Sequence, residues 1–227
     1  MPLHLYCIVP AAHPVPGGCS GVDSAHPFVL DAGGGLAVWA SEHATPVTAS
    51  VAAVRMHNDV VTAAMDRTVT PVPLRFGQSV PDRNAAVERV TADAARWHEL
   101  LGRFAGRAEY GMRVMRDVYE TEQDVRAGSV KSGTEYMAAL AWKRERAAER
   151  RSEGERIAGE IATRLGAIAV DTRVDYPSTG PAVATMAHLV AWTGAERYHD
   201  AARELREVLQ DARLVVTGPW PPYSFVE

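Results

Sequence analysis

The alternation of apolar and polar positions divides this chain into short strands and amphipathic helices separated by Gly and Pro. Residues 3–9, LHLYCIV, are an apolar run closed by Pro10, which predicts a buried strand, and a Pro/Gly/Ser-rich loop over 10–25 follows. PFVLDAGGGLAVWAS predicts two strands, 27–31 and 35–41, joined across Gly33, Gly34 and Gly35, which supply the positive-φ positions of a tight hairpin. A triple glycine can also cradle a phosphate, but such loops lead into a helix N-terminus and this one leads into a strand. Thr45 and Pro46 read as the N-cap and first residue of a helix over 46–66, with Val47, Val51, Val54, Val61 and Met65 as its apolar stripe. TPVPLRFG, residues 70–77, has two prolines in an extended run and predicts an edge strand. A second helix, 82–104, turns Val87, Val90, Ala94, Trp97, Leu100 and Leu101 inward, with Gly102 and Gly106 bracketing its end.

The second half opens with EYGMRVMRDV, 109–118, where Tyr110, Met112 and Val114 alternate with arginines in the pattern of a half-buried strand. After a polar connection comes a helix over 134–165 whose middle, KRERAAERRSEGER, is almost wholly charged. Such a stretch does not suit a core, so the helix is expected to project into solvent or to pair as in a coiled coil, anchored near its ends by Tyr136, Leu140, Ile157, Ile161 and Leu165. Strands over 167–176 and 181–192, an amphipathic helix over 195–211 and a last strand in ARLVVTG complete the chain. Strand, helix, strand, strand, helix, strand is the ferredoxin-like order, and the N-terminal half approximates a rearranged version of it. The prediction is an α+β fold in two domains. Residues 1–106 form a ferredoxin-like variant, 107–217 an α+β domain with the long coiled-coil-like helix, and 218–227, GPWPPYSFVE, a Pro/aromatic tail.

Length and composition agree with this division. At 227 residues the chain accommodates two domains of roughly 100 residues each. Apolar residues at 47% and charged residues at 23% are enough for packed cores and argue against disorder. A net charge of −4 removes the basic excess that a nucleic-acid binder needs, so no nucleic-acid partner is expected. No apolar run is long enough to span a bilayer and the N-terminus lacks a secretory pattern, so the expectation is a cytoplasmic protein without a membrane partner. Cys7 and Cys19 lack metal-type spacing and are expected to be inert.

Candidate chemistry is sparse. The eight histidines are scattered over strands, loops and separate helices without ligand spacing, so no metal and no catalytic residue is assigned. GxSxG, Walker and GxGxxG motifs are missing, which leaves an enzyme without support and no cofactor implied. The charged run 143–156 holds six basic and four acidic residues, too balanced to track phosphates, and pairs such as Arg151 with Glu155 and Glu153 with Arg156 predict a solvated helix surface. Arg75, directly before Phe76, is placed to anchor an internal ion pair or to grip a partner, the ion pair being preferred. In the tail, Pro219, Pro221 and Pro222 stiffen an extended backbone while Trp220, Tyr223 and Phe225 offer large anchors. Docking back on the N-terminal domain, so as to tie the two halves together, is preferred over a free recognition peptide, because exposed aromatics invite aggregation.

LYCIV, FVLDAGGGLAVWAS, PVPLRFG, AEYGMRVM and LVVTGPWPPYSFV, in this order and over nearly the whole chain, resemble the gas vesicle protein F/L family. The GPWPPYSF ending is the most specific element. The chain departs where the family has a tyrosine-glycine pair in its first strand and this sequence has Tyr6 and Cys7, and where RMHNDVV, with His57, replaces an alanine-rich histidine segment. The resemblance implies a two-domain α+β protein, ferredoxin-like at its N-terminus, with a long coiled-coil-like helix in its C-terminal domain. It also implies a non-catalytic accessory role in gas vesicle assembly, at the vesicle or in the cytoplasm. Its implied partners are the small, very hydrophobic shell protein and other gas vesicle accessory proteins. Two other classes, a small-ligand module and an unrecognised enzyme, would require a polar-lined pocket or converging His and carboxylate groups.

Overall fold

The computed structural model describes residues 1–116 and 133–227, so the end of the strand predicted over 109–118 and the connection after it lie outside the described residues. The chain divides into two compact units, Met1–Glu109 with Pro219–Glu227, and Tyr110–Gly218.

The first unit is built on the strands β1 (Leu3–Pro10), β2 (Phe28–Gly33) and β3 (Leu36–Glu42), with short β4 (Val72–Pro73) and β5 (Ser79–Val80) added to β1. The hairpin of β2 and β3 turns at Gly33, Gly34 and Gly35, whose φ angles are +78°, +61° and +82°. β1 runs antiparallel to β3 with a bulge, because Leu5 faces Ala40 while Cys7 faces Trp39. The extra residue, Tyr6, therefore shares one face with Cys7 and Val9, against Ala37, Trp39 and Ala53, Val60 and Val61 of α1 (Val51–Ala63). Leu3, Leu5, Ile8, Leu36, Val38 and Ala40 are also buried, on the face turned to α2 (Arg83–Ala92) and α3 (Ala94–Phe104). Helices on both faces explain why β1 is a continuous apolar run rather than an alternating one.

Three predicted elements differ. α1 begins at Val51, with the Ser50 hydroxyl accepting the Ala53 N–H at 3.0 Å, so the Thr45–Pro46 signal lies outside the helix. The single helix predicted over 82–104 is two, broken at Asp93, which has φ −114° and ψ 23°. The extended run 70–77 contributes only Val72 and Pro73 to the ladder, since a proline donates no N–H. Residues 70–74 are buried, and the Leu74 N–H donates to the Tyr6 carbonyl at 2.9 Å.

The remaining elements are β6 (Arg107–Met115), α4 (Gly133–Leu165), β7 (Ala169–Asp175), β8 (Ala182–Ala191), α5 (Ala195–Val208) and β9 (Arg213–Trp220), with sheet order β7-β8-β6-β9. This is the ferredoxin-like arrangement of a strand-helix-strand-strand-helix-strand segment. Tyr110, Met112 and Val114 alternate inward on β6, and Tyr198, Ala202 and Leu205 of α5 are buried.

α4 departs from the picture of a solvated charged rod. Arg150, Gly154, Ile157, Ala158, Ile161 and Leu165 form a buried stripe, so the second half of the charged run does lie on a core. Two residues make this possible. Arg150 donates to the carbonyls of Pro177 at 2.9 Å, Thr179 at 3.0 Å and Ala182, so its guanidinium is satisfied where it is buried. Gly154 lets the helix backbone approach β8 so closely that any Cβ there would collide with the Val183 carbonyl oxygen. Arg151 pairs with Glu155 at 2.8 Å as predicted, whereas Glu153 turns to Arg116 at 3.0 Å rather than to Arg156. Tyr136, predicted as an anchor, is 58% exposed.

The glycine contact predicts a sharp contrast within one helix. Gly154→Ala should lower the free energy of unfolding in urea by about 1–3 kcal/mol through overpacking. Gly159→Ala, with nothing within 4 Å of the new Cβ, should be neutral or stabilising by up to about 1 kcal/mol.

Candidate functional site

The segment that carries Arg75 and Phe76 rests on a buried histidine pair. His57 donates from Nε2 to the Leu74 carbonyl at 2.9 Å, which leaves its Nδ1 to accept the His4 Nε2–H at 2.8 Å. His4 Nδ1 then has no partner among the described residues. Phe76 lies against both rings, with centroids 5.2 Å from His4 and 5.7 Å from His57. Burial holds both imidazoles neutral, lowering the His4 pKa to about 3, with the neighbouring His57 and His43 adding to the shift, and lowering that of His57 as well. His4 sits in a continuous apolar strand and His57 on a buried face of α1, so each replaces an apolar residue at a core position.

The tail residues 219–227 belong to the same unit. β9 runs on to Trp220, so Pro219 and Trp220 are strand residues, and Trp220 stays 40% exposed. A 3-10 turn over Tyr223–Phe225 follows. Phe225 is completely buried, with the Arg103 guanidinium 5.9 Å from its ring centroid. Tyr223 packs on the core shared by β1, β3 and α1, as does Phe76, and its hydroxyl has no hydrogen-bond partner among the described residues. Ser224 donates from its N–H (2.9 Å) and its hydroxyl (2.8 Å) to the two carboxylate oxygens of Glu109. Burial raises the Glu109 pKa, and the two Ser224 bonds oppose that shift. Arg96 donates to the Val226 carbonyl at 2.6 Å, and Arg75 forms an ion pair with Glu227.

Four of the five residues singled out from the sequence thus lie within one polar and aromatic fastening, Arg75 and Phe76 on one segment and Tyr223 and Phe225 on the other. Glu109, Arg96 and Arg103 were not legible. Each is an ordinary charged residue on a strand or helix, and only the fold brings it to the tail.

One constellation has the residue types of an acyl-transfer site. The Ser41 hydroxyl is 2.8 Å from His43 Nε2, and His43 Nδ1 is 3.9 Å from Asp23 Oδ2. Its surroundings are those of a structural link. Ser41 is wholly buried, the Tyr6 hydroxyl lies 2.7 Å from it, and the Val22 N–H donates to that same Tyr6 oxygen at 3.0 Å. The Asp23 to His43 separation also exceeds a hydrogen bond. A depression of about 510 Å³ is lined by Glu196, His199, Asp200, Arg203, Arg206 and Val216, a mixed-charge surface open to solvent. The groups with strongly displaced pKa values, His4, His188, Cys7 and Tyr198 in the core and Tyr223 packed against it, do not line it. No group of three or more metal-binding side chains occurs among the described residues.

Two antiparallel sheets with five helices among the described residues define a mixed α+β protein whose fold is shared with known structures. The crystal structure of GvpF from Anabaena sp. PCC7120 matches with a TM-score of 0.78 at 22% identity, covering 100% of this chain and 96% of that one. The GvpF structure from Microcystis aeruginosa gives 0.77 at 20% identity, covering 100% and 99%. In sequence, the chain is 27% identical over 240 residues to gas vesicle protein F of a Streptomyces species, covering 100% of both. It is 25% identical over 180 residues to gas vesicle protein F2 of Halobacterium salinarum, covering 78% of this chain and 69% of that protein. The profile described as "Gas vesicle synthesis protein GvpL/GvpF" matches residues 2–227, and the chain belongs to that family. It is therefore a protein of gas vesicle assembly.

Proposed function

We propose that this chain is a non-catalytic accessory protein that holds the small hydrophobic shell protein of the gas vesicle wall while the wall nucleates or grows. A shell subunit that buries its apolar surface only in the polymer would aggregate when free, and a partner that covers that surface until addition prevents this. The supporting observation is the division of α4. Among the described residues its buried stripe begins at Arg150, while Tyr136 and Met137 near its start are 58% and 62% exposed. Helix pairing along these early turns is therefore favoured over strand addition at 70–75, where residues 70–74 are already buried. Arg75, Phe76, Tyr223 and Phe225 serve in this reading as anchors of the fold, and Trp220 remains available to a partner. The site of action is the cytoplasm and the growing vesicle, alongside other gas vesicle proteins. No helix among the described residues is long and apolar enough to cross a membrane.

Co-expression with the shell protein tests this. The shell protein is expected to stay soluble and co-purify with the natural chain. Replacing Tyr136 and Met137 together by Glu should abolish that retention while leaving the thermal melt unchanged. Retention by the double variant would remove α4 as the contact, and a shell protein indifferent to the natural chain would sink the proposal.

A further inference from the structure

β9 closes one end of its sheet, and no strand among the described residues pairs with its outer edge. Arg206 of α5 marks which backbone groups that edge presents. Its Nε donates to the Leu214 carbonyl at 3.3 Å, so this carbonyl turns away from β6. The two-residue repeat of a strand then turns the N–H and C=O of Val216 outward as well. Val216 lines the depression of about 510 Å³ whose wall is the exposed side of α5. The regular edge is short. Gly218 has φ +116° and Pro219 carries no N–H, which leaves residues 213–217 to receive a strand.

The wall carries its charges in order. Along α5 the groups at the depression run Glu196, Asp200, Arg203, Arg206, carboxylates first and guanidinium groups last. Asp200 and Arg203 pair with each other across one turn, an exposed pair of small worth, and Arg206 fixes the basic end at Leu214. A short connection over 209–212 joins α5 to β9, so the two run in opposite directions and Glu196 lies beyond Val216. From Glu196 to Arg206 the helix rises about 15 Å, the length of four to five strand residues. We propose that the groove between α5 and the outer edge of β9 binds an extended segment of a partner protein, which adds to β9 as an antiparallel strand and carries a basic side chain and, four residues later, an acidic one. An antiparallel strand enters at Glu196 and leaves at Arg206. Its basic residue meets Glu196, its acidic residue meets Arg206, and the residue midway, an apolar one, meets Val216. Main-chain bonds to Val216 supply the pairing, and the two charges set direction and register. The groove is lined from α5 and β9 rather than from α4, and a seam of this length is weak and transient.

Two synthetic peptides test this against the full chain by fluorescence anisotropy, Thr-Lys-Thr-Val-Thr-Glu-Thr and its charge-exchanged form Thr-Glu-Thr-Val-Thr-Lys-Thr. The first is expected to half-saturate at roughly 0.1–1 mM, as suits so short a seam, and the second at a concentration about fivefold higher. Glu196→Lys, at an exposed position, should reverse that preference, because the side chain then repels the lysine and attracts the glutamate. The backbone is tested separately. N-methylation of the peptide valine, whose N–H points at β9 in this register, should weaken binding about tenfold or more. N-methylation of the threonine after it, whose N–H points away, should leave binding within about twofold. Failure of both peptides to bind at about 2 mM, a natural chain that does not prefer the first, a preference that Glu196→Lys leaves unchanged, or full binding of the N-methyl-valine peptide would each overturn the proposal.

Discussion

Lowering the pH from 7 to 4 is expected to strip most of the stability from this protein, and two buried histidines account for the largest part. An unfolded histidine takes up its proton near pH 6.5. Folded His4 does so only near about 3, and His188 near about 4, in both cases because burial penalises the charged imidazolium. His57 and His43 both lie beside His4 in the first unit, and a proton on either would repel one on His4. His188 Nδ1 lies 2.9 Å from the Tyr198 hydroxyl, a hydrogen bond that the neutral imidazole already satisfies. Between the folded and unfolded values the unfolded chain binds more protons, so stability falls as the pH falls. The loss begins as the pH drops through 6.5 and is absent above about 7. Both histidines are 1% exposed, and at pH 4 each costs on the order of 3 kcal/mol, a large share of a typical 5–15 kcal/mol. His57 and His43, also lowered by burial, add to the same slope. Asp66, lowered mainly by its bond from the Val69 N–H, extends the loss to lower pH, whereas Glu109, raised by burial, works in the opposite sense. Urea midpoints at pH 7, 5.5 and 4 check this, and His188→Gln should flatten the dependence. A midpoint at pH 4 equal to that at pH 7 would refute it.

Those histidines also show where reading the sequence stops. Hydrophobic periodicity located nearly every strand and helix, and the Gly33–Gly35 turn and the inward Tyr110, Met112 and Val114 followed directly from local chemistry. Local chemistry misled where two candidates competed. Ser50 rather than Thr45 caps α1, and nothing in 82–104 announced the break at Asp93. The run 143–156 was read by composition, yet its orientation depended on a glycine and an arginine whose partners, Val183 and the carbonyls of residues 177–182, lie far along the chain. The His4–His57 bond spans 53 residues and Glu109–Ser224 spans 115, separations at which no periodicity carries information. Aromatic and proline content marked the tail because an apolar cluster demands burial whatever buries it, while the polar groups that receive it are recognisable only in three dimensions.

Phe225→Ala carries the second large effect. The ring is 0% exposed, and truncating a fully buried Phe typically costs about 3–5 kcal/mol in lost transfer energy and cavity. Neighbouring substitutions should behave differently, which separates burial from mere aromatic content. Tyr223→Phe removes a buried hydroxyl that has no partner among the described residues, so it should be neutral or stabilising, because an unsatisfied buried hydroxyl costs about 1–3 kcal/mol. Trp220→Ala, at a site 40% exposed, should cost far less than Phe225→Ala. Ser224→Ala removes one of the two hydrogen bonds to a half-buried carboxylate and should cost about 1–2 kcal/mol. Thermal and urea unfolding of the four variants should therefore rank Phe225→Ala as the most damaging and Tyr223→Phe as the least. Glu109 supplies an internal check. With its carboxylate no longer held by the Ser224 hydroxyl, its raised pKa should rise further in Ser224→Ala, since one of the bonds that favour the charged form is gone. If Phe225→Ala instead melts with the natural protein but releases the shell protein in co-purification, the last residues act as a recognition peptide. Burial of Phe225 would then describe a resting position that binding displaces.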